Sequence, residues 1–76
     1  MRQIVLAANY WQYRLFIKVN DLDERDFVYV NSYDKARGYK SGINVIGLPS
    51  WSEGYSLGDI FNLTTRFNVA LWEGEL

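Results

Sequence analysis

Three short apolar runs alternate with two longer segments in which apolar residues recur at helical spacing. The runs cover residues 3–8, 27–30 and 43–48, and branched and aromatic side chains dominate them, as is typical of strands. The first run is apolar without interruption from residue 4 to residue 8. Such a run indicates a strand covered on both faces, as in a parallel sheet.

Residues 10–19 fit two periods at once. The odd-numbered positions from 11 to 19 are all apolar, as in a strand, but Trp11, Leu15 and Val19 also form an i, i+4, i+8 row. Asn9 can cap a helix that starts at residue 10, and a length of ten residues suits a helix better than a strand. The pattern therefore predicts a helix over 10–19 whose Trp11, Leu15 and Val19 row faces the sheet.

A second helix is predicted after Ser56. The segment from Ser56 to Asp59 resembles a capping box, and it precedes apolar residues at spacings of three, four and four: Ile60, Leu63, Phe67 and Leu71. Residues 69–76 then either continue this helix or form a peripheral tail.

The order of these elements predicts a single α/β domain over residues 1–76. Its sheet would have three parallel strands in the order 2-1-3, with two main helices. A small antiparallel α+β fold is the alternative if residues 10–19 pair as a strand. Ligands of open α/β sheets bind outside the carboxyl ends of the strands, where the strand order reverses. The sequence places six residues around that crevice: Asn9, Tyr10, Gly47, Pro49, Ser50 and Trp51.

Aromatic residues are more numerous than so small a core requires. Of 76 residues, three are Trp, six are Tyr and four are Phe. A sheet of three strands with two helices buries only part of this set, and Tyr and Trp are enriched at binding hot spots. Trp51 is the first candidate, because it follows Pro49 in a loop that needs no large side chain. The full candidate set is Tyr10, Tyr13, Tyr39, Trp51, Tyr55 and Trp72.

Several chemistries lack their usual residues. The chain has no cysteine and no histidine, so we expect no metal, no cofactor and no catalytic triad. The segment after the first strand contains no glycine, which phosphate-binding loops require. A net charge of −1 does not favour a nucleic-acid partner. No signal peptide or membrane span is recognisable, which predicts a cytoplasmic protein without membrane contact.

Four segments carry a resemblance to a known group of proteins. Residues 5–13, 26–30, 36–39 and 45–47 resemble small uncharacterised bacteriophage-encoded proteins with a minimal Rossmann-like fold. The resemblance implies a helix after Asn9, a phage origin and expression in a bacterial cytoplasm, and it brings no catalytic residue.

Together these observations predict a non-enzymatic phage accessory protein that acts as a protein interaction module. Its partner would be a protein of the host or of the phage, or a second copy of the chain. The alternative is a small domain that binds a ligand or a nucleotide in the crevice at the carboxyl ends of strands one and three.

Overall fold

A computed structural model describes residues 2–74, which form one parallel sheet with helices on both faces. The strands are β1 (Gln3–Leu6), β2 (Phe27–Tyr29), β3 (Asn44–Gly47) and β4 (Asn68–Leu71). The helices are α1 (Tyr10–Val19), α2 (Tyr33–Ala36) and α3 (Leu57–Arg66). Short 3-10 turns cover Glu24–Asp26 and Trp51–Gly54.

The sheet has the strand order β2-β1-β3-β4, and every neighbouring pair is parallel. The predicted order of the first three strands is confirmed, and the antiparallel alternative is wrong. The predicted number of strands is also wrong, because β4 adds a fourth strand beside β3. The registers align Val5 with Tyr29 of β2 and with Ile46 of β3, so β1 lies in the interior of the sheet.

The fourth strand corrects the prediction for residues 69–76 in the part that the structure describes, because residues 69–71 neither continue the helix nor form a detached tail. Helix α3 ends at Arg66, because Phe67 is in an extended conformation with φ −120° and ψ 160°. The chain then pairs with β3, with Val69 beside Val45 and Leu71 beside Gly47. Residues 75 and 76 lie outside the described part of the chain.

Alternating side chains of β1 supply two separate cores, one on each face of the sheet. Ile4 and Leu6 pack with the cluster that includes Leu63 of α3, whereas Val5 and Ala7 pack with the cluster beneath α1. All four side chains are completely buried. This double coverage explains why the first strand has no polar positions between residues 4 and 7.

Helix α1 is confirmed over Tyr10–Val19, but its predicted orientation is wrong. Tyr13, Phe16 and Ile17 are buried against the sheet. The row of Trp11, Leu15 and Val19 faces solvent instead. Seven of the ten residues of the helix are apolar. A helix lying on a sheet buries only one stripe, so one of the two apolar rows had to remain outside.

Candidate interaction surface

The crevice between the carboxyl ends of β1 and β3 is bridged by one side chain, that of Gln12. Asn9 caps α1 by accepting a hydrogen bond from the Gln12 backbone N–H at 2.9 Å, which fixes Gln12 in the first turn. The Gln12 Oε1 accepts from the Ala8 N–H at 2.7 Å, and its Nε2 donates to the Pro49 carbonyl at 2.7 Å. The side chain thus ties the segment after β1 to the segment after β3.

Tyr55 occupies the neighbouring space at the ends of β1 and β2. Its hydroxyl donates to the Val30 carbonyl and accepts from the Ala7 N–H at 3.4 Å. Burial raises the pKa of this phenol well above its usual value of 10. Beside it, the backbone of Gly54 lies so close to the segment after β1 that a Cβ would overlap the Ala8 carbonyl oxygen. The chain's own atoms therefore fill this part of the crevice.

The Tyr55 hydroxyl gives a testable pH dependence. Phenylalanine at this position should cost about 1 to 3 kcal/mol at neutral pH, because the Val30 carbonyl loses its donor. The folded state holds the Tyr55 proton more tightly than the unfolded chain does, so this contribution is complete below about pH 10 and is lost as pH rises further. Urea denaturation of both proteins should show the stability gap narrowing above about pH 10. A gap independent of pH would contradict this assignment.

The predicted pocket residues divide between two places. Gly47, Pro49, Ser50 and Trp51 line a cavity of about 350 Å³, together with Leu71, Trp72 and Glu73. This cavity lies at the ends of β3 and β4, one strand away from the predicted position. Asn9 does not reach it, because its side chain caps α1. Tyr10 is also absent from it and instead contacts Tyr29, with ring centroids 6.0 Å apart.

The six aromatic candidates do not form one surface. Tyr10 is exposed, whereas Tyr13 is buried beneath α1 and stacks on Tyr29 at 5.6 Å. Burial raises the pKa values of both Tyr13 and Tyr29. Tyr39 and Tyr55 are half-buried against the core on the α3 face. Trp72 is half-buried on the opposite face, where it meets Phe16 edge-on at 5.0 Å.

The side chain of Trp51 is buried, whereas the sequence predicts that it is exposed. Only 9% of the residue is accessible, and it belongs to the core on the α3 face. Ser50, with φ 61° in the left-handed region, turns the chain back after Pro49. Gly47 leaves space for the indole, since a Cβ there would stand 2.9 Å from Trp51 Cδ1. The loop after Pro49, which is expected from the sequence to need no large side chain, therefore places the Trp51 indole over the end of β3.

The outer face of α1 carries the apolar row that the core does not use. Trp11 is 77% exposed, and Leu15 and Val19 remain about half exposed. We call these three residues the outer row. Trp11 and Leu15 of this row, together with Ile17 and Leu22, form the apolar part of a groove of about 800 Å³, and Val19 lies outside it.

Charged side chains stand on both sides of this groove. The helix supplies Arg14 and Lys18, and the connector after the helix supplies Asp21 and Glu24. Arg14 forms an ion pair with Glu24. Lys18 takes part in no ion pair among residues 2–74. The groove therefore combines an apolar base with a cationic side chain whose charge is available to a ligand.

Sequence reasoning missed Trp11 as a surface residue, although one signal was present. Two apolar rows on a ten-residue helix imply that one row lies outside, and the i, i+4 spacing of both gave no basis for choosing between them.

None of the helices within residues 2–74 is long and apolar enough to cross a bilayer. A comparison with protein-family models, curated protein sequences and solved structures finds no match for this chain.

Proposed function

We propose that this chain is a non-enzymatic protein interaction module whose outer row binds a protein of a bacterial host or of a phage. The observation that carries the proposal is Trp11, which lines the groove beside α1 and leaves 77% of its surface in water. Large exposed apolar side chains on a groove mark interaction sites, and tryptophan is the residue most enriched at binding hot spots.

The outer row contributes little to the fold itself. The inner residues Tyr13, Phe16 and Ile17 already supply the packing of α1 on the sheet. At exposed helical positions, alanine, glutamate or lysine would stabilise a helix better than tryptophan or valine. Neither packing nor helix propensity therefore explains Trp11 and Val19, and contact with a partner does.

The groove suits an amphipathic helix as its occupant. Its apolar base would receive side chains spaced at i, i+3 or i+4 and i+7, the pattern by which helices bind in grooves. A carboxylate on the partner would meet Lys18, which has no ion pair within the described chain. Asp21 lines the same groove and also has no ion pair among residues 2–74, so a partner that carries charges of both signs beside its apolar anchors fits this groove.

The biological setting of this proposal is a phage accessory protein in the cytoplasm of a bacterial host. It is supported by the resemblance of residues 5–13, 26–30, 36–39 and 45–47 to small phage proteins. The absence of histidine and cysteine from the sequence supports a non-enzymatic role, because these residues perform most nucleophilic and acid–base catalysis near neutral pH.

The test compares two exposed aromatic residues on different helices. Trp11→Ala should weaken binding to a partner captured from bacterial lysate by more than tenfold, or about 1.4 kcal/mol, as measured by titration calorimetry with the purified partner. Phe61→Ala, on α3, is the matched control and should leave this affinity unchanged. Equal affinities of Trp11→Ala and the wild type would refute the assignment of the outer row. Lys18→Glu should also weaken binding, because a carboxylate of the partner would lose its cation.

A further inference from the structure

Strand β4 ends the sheet and pairs on one side only. The Asn68 N–H donates to the Ile43 carbonyl at 3.0 Å, and the Trp72 N–H donates to the Gly47 carbonyl at 2.9 Å. Backbone groups alternate in direction along a strand, so Val69 and Leu71 turn their N–H and C=O groups away from β3. Within residues 2–74, no other strand lies against that outer edge.

This edge lacks the features that usually prevent pairing between proteins. Residues 67–72 (Phe-Asn-Val-Ala-Leu-Trp) include no charged residue and no proline. Natural edge strands are commonly blunted by lysine, proline or a bulge. The opposite edge strand, β2, has three residues and directly follows the charged turn Glu24–Asp26. Of the two edges of the sheet, that of β4 is therefore the one suited to accept a further strand.

An apolar patch borders the same edge. Arg66 donates to the carbonyls of Arg37 at 3.1 Å and Tyr39 at 2.6 Å, so this side of α3 faces the segment after α2. At about 100° per residue, Phe61 lies roughly 140° and Leu57 roughly 180° around the helix from Arg66. Leu57 therefore lies on the side of α3 away from α2, towards β4, and it is 86% exposed. Phe61 is 69% exposed and lies roughly 160° around the helix from the buried Leu63, so it points away from the sheet.

Leu71, the last residue of β4, also belongs to this exposed apolar patch. Val69 packs with the core on the α3 face, and side chains two residues apart point to the same face of a strand. Leu71 therefore also lies on the α3 face, where 68% of it is exposed. A free strand edge and two exposed apolar side chains, those of Leu57 and Leu71, thus lie on the same side of the molecule.

We propose that β4 pairs with β4 of a second copy of this chain, antiparallel about a twofold axis at Ala70. Val69 then lies opposite Leu71 of the other copy, and the two such pairs form four hydrogen bonds from the groups that point outwards. The apolar side chains of Leu57 and Leu71 from both copies border the new pair on the α3 face. The result is an eight-stranded sheet in a closed dimer.

Charge is the reason for choosing a second copy as the occupant. The edge carries no charge between Phe67 and Trp72, so two identical edges approach without repulsion. The groove beside the outer row of α1 differs, because it carries charges of both signs from Arg14, Lys18, Asp21 and Glu24. Self-association is therefore placed at β4, and it is independent of the partner proposed for α1.

The interface is small, which sets the expected affinity. A pair of four-residue strands and two apolar side chains per copy fall at the low end of specific interfaces, below about 1,200 Å² in total. We expect a dissociation constant in the micromolar range, so the dimer should be populated at high protein concentration and dissociate on dilution.

Sedimentation equilibrium over a range of concentrations tests the proposal. Wild-type protein should shift from monomer to dimer mass, and Leu71→Pro should raise the dissociation constant at least tenfold. Proline removes only an N–H that points outwards, so the monomer should keep its circular dichroism spectrum. Trp11→Ala should dimerise like the wild type. A wild type that stays monomeric at about 1 mM, a dimer unaffected by Leu71→Pro, or loss of the dimer in Trp11→Ala would each overturn the proposal.

A cross-link tests the register directly, because the chain contains no cysteine. Ala70→Cys would place two sulfurs across the twofold axis in a pair without hydrogen bonds, at a separation compatible with a disulfide. Mild oxidation should yield a covalent dimer that retains the circular dichroism spectrum of the wild type. Asn62→Cys, on the exposed surface of α3, is the matched control and should cross-link far less. Equal cross-linking of the two variants would refute the register.

Discussion

Replacing Trp51 with alanine is expected to lower the free energy of unfolding by about 3 to 5 kcal/mol. The indole is 9% exposed, lies over Gly47 and meets the Tyr55 ring edge-on at 5.7 Å. Its removal leaves a cavity beside the end of β3 that neighbouring side chains fill only in part. A domain of this length has a total stability of about 4 to 11 kcal/mol, so the variant should be close to unfolding.

Trp11→Ala is the matched control for this substitution. Its side chain is mostly in water, so its removal should change the free energy of unfolding by no more than about 0.5 kcal/mol. Urea denaturation followed by circular dichroism measures both variants without relying on the tryptophans themselves. A greater loss of unfolding free energy in Trp11→Ala than in Trp51→Ala would contradict the described burial of Trp51 and exposure of Trp11.

Replacing Phe16 with alanine should be comparably severe, at about 3 to 5 kcal/mol. Phe16 is fully buried and meets Phe27 at 5.9 Å and Trp72 at 5.0 Å, both edge-on. The Phe16 ring thereby joins α1 to the first residue of β2, Phe27, and to Trp72 in the segment after β4. Loss of the ring removes its contacts with Phe27 and Trp72 in the core beneath α1. The exposed fraction of Trp72 should therefore also increase.

The adjacent Leu15 provides the control for Phe16. Leu15→Ala alters a residue on the same helix that lies on the outer row, and it should cost far less stability. Chemical denaturation midpoints of the two variants should therefore differ widely. Similar midpoints would mean that α1 does not present Phe16 to the sheet.

The helix over residues 10–19 could be predicted because its signals are local. The Asn9 side chain caps the helix by accepting a hydrogen bond from a backbone N–H three residues later. The Ser56 hydroxyl caps α3 in the same way, by accepting from the Asp59 N–H. The order of the first three strands also followed from the sequence, because the uninterrupted apolar run of β1 requires cover on both faces.

Strand β4 could not be predicted because its cause is distant in sequence. The segment Asn68–Leu71 is mostly exposed, and Leu63, Phe67 and Leu71 continue the spacing of a helix. Its strand conformation comes from pairing with β3, more than twenty residues earlier. The placement of the candidate site residues could not be predicted for a related reason. The burial of Trp51 depends on Gly47 and Val69, and which row of α1 faces the sheet depends on Phe27 and Trp72.

The unequal placement of the three tryptophans gives this domain a built-in set of optical probes. An indole in water emits at longer wavelength than one in an apolar core, and a bound protein that covers it shifts its emission to the blue. Trp11 stands on the outer row, Trp51 lies within the core and Trp72 rests on Phe16. The three indoles therefore respond to three different events: occupation of the α1 groove, loss of the core, and detachment of the segment after β4.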